Sequence, residues 1–217
     1  MTLNIDSTAT LVFDLDDTLY KEIDYLKSAY SEIAQHLNAS NWRATYALMF
    51  ALYREKKNVF DHISKEFKVE KESLITIYRN HNPDIALQEE TKFLLNHIKL
   101  KGANITLLTD GRSITQRNKV MALGLEIWMD KLFISEELGS EKPAENNFKA
   151  VEDHFKTSMY CYIADNLKKD FITPNKRGWK TIGLIDNGLN IHVDSASYKR
   201  PENCPQQFIL HLQELLS

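Results

Sequence analysis

Leu11-Val12-Phe13-Asp14-Leu15-Asp16-Asp17-Thr18-Leu19-Tyr20 begins as an apolar run and then places three carboxylates within four residues. Thr10 to Phe13 reads as a strand buried on both faces, of the kind found in parallel sheets. Charged groups beside such a strand are costly unless they are paired or bind metal. In open α/β sheets the crevice at the carboxyl ends of the strands is where ligands bind. If the chain stays extended, Asp14 and Asp16 point to the same side, because side chains repeat every two residues. One could then act as nucleophile or metal ligand and the other as acid and base. The plainer reading is a strand followed by an acidic cap, Asp17 or Thr18, for the next helix.

Downstream the pattern turns helical. Ile23, Leu26, Lys27, Tyr30, Ile33, Ala34 and Leu37 recur at spacings of three and four, the signature of an amphipathic helix. Asn38 to Asn41 breaks it. Trp42, Tyr46, Leu48, Met49, Leu52 and Tyr53 form a second apolar face, and shorter helices fit Phe60 to Phe67 and Lys71 to Arg79. No glycine and no convincing strand occurs between Tyr20 and Asn82, and Asn82-Pro83 ends the helical pattern. Residues 20–83 therefore read as a helical cap inserted into a core made of residues 1–19 and 84–217.

Beyond Pro83 strands alternate with helices. Helices are expected over Gln88 to Leu100, Ser113 to Leu123, from Pro143 in a first turn to Phe155, over Leu167 to Lys176, and over Phe208 to Leu216. Strands are expected over Asn104 to Leu108, Lys131 to Ile134, Met159 to Ala164 and Thr181 to Ile185. Alternation of this kind implies an α/β fold, doubly wound around a mainly parallel, Rossmann-like sheet.

The chemistry lies in the residues just past each strand. Thr109, Asp110 and Gly111, then Arg112 and Ser113, place a hydroxyl and free backbone N–H groups at a helix start, which suits an anion. A routine turn with Ser113 as cap explains the same residues. Lys142 stands just before a helix start, where anions are favoured, so it faces a carboxylate or phosphate, or else water. Asp165, Asn166 and Asp170 form a second acidic cluster that suits a hard divalent cation such as Mg²⁺ or, more plainly, a helix cap. The set is harder to explain plainly than any member of it.

These motifs resemble those of the haloacid dehalogenase-like hydrolase superfamily. DLDDT at Asp14 to Thr18 is similar to its first motif, LLTDG at Leu107 to Gly111 to its second, Lys142 before Pro143 to its third, and IADNLKKD at Ile163 to Asp170 to its fourth. The helical insert resembles the α-helical cap of one subgroup. The resemblance implies that Asp14 is a nucleophile that forms an aspartyl-phosphate. Asp16 would protonate the leaving oxygen and then activate water. Mg²⁺ would sit between Asp14, the backbone carbonyl of Asp16, and Asp165, with Asp170 in support. Thr109 and the backbone of Asp110 and Gly111 would hold phosphoryl oxygens, and Lys142 would neutralise charge. The fourth motif departs slightly from the pattern, with Ala164 where the family often has glycine. Asp16, which dehalogenases proper usually lack, favours a phosphatase acting on a small phosphate monoester, such as a nucleotide or sugar phosphate. A phosphomutase, or a binding protein that has kept the fold, is the alternative. The cap would supply substrate choice from a pool that includes Tyr20, Lys27, Arg43, Tyr46, Arg54 and Lys57.

Composition agrees with an ordinary globular chain of 217 residues, 43% hydrophobic and 26% charged. A net charge of −3 without a basic stripe argues against a nucleic acid polymer as partner. No stretch has the length of a membrane span, and two cysteines, Cys161 and Cys204, do not suggest a disulfide framework. A reduced, cytoplasmic monomer or homodimer is the expectation.

Overall fold

The computed structural model describes residues 5–192 and 200–216. Six strands form one parallel sheet in the order β3-β2-β1-β4-β5-β6, with β1 over Ala9–Phe13, β2 over Asn104–Thr109, β3 over Lys131–Ile134, β4 over Met159–Ala164, β5 over Lys180–Leu184 and β6 over Gln207–Ile209. β1 lies at the centre, pairing Thr10 with Asn104 on one side and Ala9 with Met159 on the other. All five of its residues are fully enclosed. Leu11 and Phe13 enter an apolar cluster on one face with Ile105, Leu107 and Ile163; Val12 enters the opposite cluster with Leu108, Phe148 and Tyr162. A strand packed on both faces has no use for alternation, which is why its sequence is continuously apolar.

The helices are α1 (Glu22–Leu37), α2 (Trp42–Arg54), α3 (Val59–Phe67), α4 (Lys71–Asn80), α5 (Glu89–Leu100), α6 (Ser113–Ala122), α7 (Ser135–Leu138), α8 (Glu145–Phe155) and α9 (Ile172–Lys176). Helices α1 to α4 share an apolar cluster of their own, built on Ile23, Leu26, Tyr30, Ile33, Met49, Ile63 and Leu74. Among the described residues no helix is long and apolar enough to cross a membrane.

Three expectations from the sequence are corrected. Phe208 to Leu216 is not a helix. Gln207–Ile209 instead extends the sheet, with Gly183 beside Phe208 and Leu184 beside Ile209, and only Leu212–Leu216 coils, as a 3₁₀ turn. The spacing of Phe208, Leu212 and Leu215 imitates a helix, while three residues are too few for a strand to declare its period. Gly183 makes this closure possible: a Cβ there would lie 2.6 Å from the Pro205 ring. Second, the helix expected from Leu167 begins only at Ile172. The Asp170 carboxylate accepts from the backbone N–H of Asn166, and the Asn166 side chain accepts from that of Lys168, so side chains compete with the helical ladder. Third, Pro143 precedes its helix rather than starting it: Ala144 is the cap residue and α8 begins at Glu145.

Candidate active site

β1 delivers Asp14 to the carboxyl edge of the sheet, where its backbone N–H still donates to the carbonyl of Ile163 at 2.9 Å. The extended course then stops. Asp17 takes a positive φ of 56°, and the chain turns towards α1. Asp14 and Asp16 consequently meet different neighbours rather than sharing one flat face.

Asp14 faces Lys142. The Lys142 ammonium, completely enclosed, lies 2.9 Å from Asp14 and 2.8 Å from Asp170, and donates to the Tyr162 hydroxyl at 2.9 Å. A lysine can be buried this deeply only when paired. Burial alone would strip its proton, but Asp14 and Asp170 outweigh it and hold the ammonium charged far above its usual range. The loop that carries Lys142 is fixed by Asp110, whose carboxylate accepts from the Lys142 backbone N–H at 3.0 Å and from the Lys169 ammonium at 2.5 Å. The misplaced lysine before a helix thus faces carboxylates, not water.

Asp16 faces the other way. Its Oδ1 accepts from the Tyr20 hydroxyl at 2.5 Å and from the Lys119 ammonium at 2.6 Å, and its Oδ2 accepts from the Gln116 amide at 3.0 Å. The same amide donates to the Thr109 hydroxyl at 2.6 Å, which ties the end of β2 to Asp16. Gln116 and Lys119 are one helical turn apart on the buried face of α6. Burial raises the proton affinity of both aspartates. For Asp14 it prevails over Lys142, with Asp170 adding to it, and carries the carboxyl up to about 6. For Asp16 the Lys119 charge and the three donors prevail, and the carboxyl sits below its usual range.

Asp17, the third acid of the motif, is a structural anchor. Its Oδ1 accepts from the N–H of Glu22, the first residue of α1, and its Oδ2 from the N–H of Ile191. The plain capping reading therefore applies to Asp17, even though the cap residue proper is Lys21. Ser113 is likewise not a cap. It is the first residue of α6, and its N–H donates to Glu136. At Gly111, with φ 137°, the N–H is taken by the Ser135 hydroxyl at 2.9 Å.

One oxygen each from Asp14, Asp165 and Asp170 lies within 4.8 Å of the other two. Burial, then the charges of Asp170 and Asp14, drives Asp165 well above the usual carboxylate range. Crowded, buried carboxylates at a strand end suit a hard divalent cation, whose charge relieves their repulsion. The residues present therefore fit Mg²⁺.

Sequence reasoning missed Lys119, Gln116, Tyr162, Lys169 and Asn190. The legible signal was on α6, where an amide and an ammonium stand at i and i+3 on the face that should have been apolar. From the pool in the helical segment only Tyr20 touches a site carboxylate. Lys27 pairs with Asp24, Lys57 with Glu55, and Arg43 and Arg54 lie over the rings of Trp42 and Phe50.

The model of the haloacid dehalogenase-like hydrolase family matches residues 11–184. Glyceraldehyde 3-phosphate phosphatase of Methanocaldococcus jannaschii is 28% identical over 191 residues, covering 81% of this chain and 84% of that protein. The enzyme of the same name from Methanothermobacter thermautotrophicus is 30% identical over 196 residues, covering 82% and 85%. Among solved structures, YfnB of Bacillus subtilis, described as a HAD-hydrolase and bound to magnesium, aligns over 95% of this chain and 96% of its own with a TM-score of 0.67 and 21% identity. The chain belongs to the haloacid dehalogenase-like hydrolase family.

Proposed function

We propose that the protein is a phosphatase that hydrolyses a small phosphate monoester, a short-chain sugar phosphate in particular, through a phosphoryl group carried on Asp14. The observation that carries this reading is the enclosed Lys142 held between Asp14 and Asp170. It is a concentration of buried charge that a structural role alone does not require. The glyceraldehyde 3-phosphate phosphatases among the relatives support the substrate class.

A carboxylate oxygen of Asp14 attacks phosphorus, and the bond from phosphorus to the leaving oxygen breaks. Asp16 gives that oxygen its proton. Asp16 then takes a proton from water, the water oxygen attacks phosphorus, and the bond to Asp14 breaks, returning the carboxylate and releasing phosphate. As it stands, Asp16 is held ionised by Lys119, Tyr20 and Gln116, the state that activates water. A phosphate dianion arriving beside it raises its proton affinity and prepares the acid step. Lys142 neutralises Asp14 and the incoming phosphoryl oxygens, and Thr109 is available to donate its hydroxyl proton to one of them. Asp14, Asp165 and the Asp16 carbonyl, with Asp170 behind them, would hold Mg²⁺, which would supply positive charge against the phosphoryl group. Residues 20–83 serve as the cap. Within it, Tyr20 donates to Asp16, and Glu22 lies 3.9 Å from Lys119, beside the same acid.

The test is release of phosphate from p-nitrophenyl phosphate and from a panel that includes glyceraldehyde 3-phosphate, with Mg²⁺ and after chelation. Metal-dependent turnover, with the short sugar phosphates leading the panel, is expected. Full activity in the chelated protein, or none on any monoester, would overturn the reading.

A further inference from the structure

The loop after β5 reaches across to two places at once. Asp186 folds it, accepting from the backbone N–H groups of Gly188 and Asn190 at 2.7 and 3.1 Å. The Asn190 side chain, buried, then makes two contacts of opposite polarity. Its amide nitrogen donates to Oδ2 of Asp165 at 2.9 Å, and its oxygen accepts from the Lys21 ammonium at 2.6 Å. A flipped amide would set NH₂ against an ammonium and oxygen against a carboxylate, so the two partners fix its orientation. Lys21 is the cap residue of α1, where the chain enters the helical segment. The next residue, Ile191, donates its N–H to Asp17 at 2.8 Å and packs its side chain against the apolar cluster of α1 to α4.

We propose that Asn190 is a positioning residue for the divalent cation: it holds one oxygen of Asp165 so that the carboxylate presents itself to the metal, and it links that carboxylate through Lys21 to the root of the helical segment. This rests on the reading of Asp165 as a metal ligand. A hydrogen bond from behind fixes a ligand's orientation and commonly changes metal affinity by about 10–100-fold. The relay has a thermodynamic consequence. A change at Lys21, which touches no metal ligand, is felt by the cation, and cation binding in turn restrains the root of α1.

Charge and position predict opposite signs at Lys21. Deleting a nearby positive charge, taken alone, tightens binding of a cation. Deleting the donor that pins Asn190 frees the amide to rotate away from Asp165 and weakens it. The experiment measures Mn²⁺ binding to chelator-stripped full-length protein from the electron paramagnetic resonance signal of free Mn²⁺, with Mg²⁺ as competitor. Far-UV circular dichroism and melting in EDTA check the fold. Asn190→Ala is expected to weaken binding about tenfold. Lys21→Met is expected to weaken it a few-fold, and the double variant to be no worse than Asn190→Ala, because the two act through one amide. Wild-type affinity in a folded Asn190→Ala protein overturns the positioning role. Tighter binding in Lys21→Met, or additive losses in the double variant, overturns the relay. Should Asn190→Ala fail to fold, the sign at Lys21 alone decides. Asp165→Asn separates the two layers: if wild type and Asp165→Asn bind Mn²⁺ alike, the metal-site reading itself falls and this inference with it.

Discussion

Asp14 and Asp16 are separated by a single residue, Leu15, and are chemically identical, yet the walls they face differ in kind. The Asp14 wall is made by the sheet: β1, β4, the Lys142 loop and Asp170 enclose one ammonium among several acids. The Asp16 wall is made by α6 and the start of the helical segment, and it surrounds one acid with three donors. Burial dominates on the first wall and donors on the second, so the two proton affinities move apart. Two carboxylates with separated affinities can divide a reaction between them, one forming a bond and the other moving protons.

Removing the carboxylate from the first wall is the strongest way to break the contrast. Asp14→Asn should lower kcat by on the order of a thousandfold or more, since an amide is a poor nucleophile. Mass spectrometry should find no phosphorylated protein. Near-normal turnover would show that the two walls are not divided as described.

Lys142→Met strikes the same wall through stability. It leaves Asp14 and Asp170 enclosed without their counter-charge, and breaking a buried pair in this way costs about 3–5 kcal/mol. Urea unfolding should show that loss. An unchanged midpoint would mean that the acids simply take up protons and that the ammonium is dispensable for the fold.

On the second wall, Lys119→Met should slow turnover by about ten- to a hundredfold, part of the span attributed to general acid–base catalysis. The loss should be larger for an alkyl phosphate, whose leaving oxygen needs a proton, than for p-nitrophenyl phosphate, whose leaving group does not. Equal losses on both substrates would place Lys119 in the scaffold rather than behind Asp16.

Glu22 gives the smallest and most selective effect. Burial, with Asp16 nearby, raises its carboxyl from an ordinary 4.5 to about 8, so the folded protein holds this proton more tightly than the unfolded chain. The stability that the protonated form contributes is complete below about pH 4.5 and is lost as pH rises through about 8. Glu22→Gln should therefore raise the melting temperature at pH 8 by about 2–4 °C or more and leave it nearly unchanged at pH 4. A gain of the same size at both pH values would mean that the charge of Glu22 is not the cause.

The first wall was largely legible in the sequence, and the second was not. Asp14, Lys142, Asp165 and Asp170 each come after a strand and Thr109 ends one, and in a parallel sheet all such positions converge on one edge. Topology alone therefore gathers them. Lys119, Gln116 and Asn190 lie on a helix face and in a loop, and their convergence depends on how α6 packs and where the loop after β5 turns. Local pattern does not encode either. The same limit explains β6, whose three residues become a strand only because Gly183 lets the returning chain close on β5.

The central place of β1 also bears on how the chain assembles. β1 emerges before both of its partners and waits long for them, because they begin at Asn104 and Met159. The four helices after it find their apolar contacts mainly among themselves and can close early. Until β2 exists, a bare run of strand formers has both edges unpaired, and until β4 exists one edge stays open, which is the condition that invites wrong pairing and chaperone capture. Arrested chains of increasing length should show protease protection of α1 to α4 well before that of Leu11 to Phe13. Simultaneous protection of both would mean that the sheet and the helices assemble as one cooperative unit.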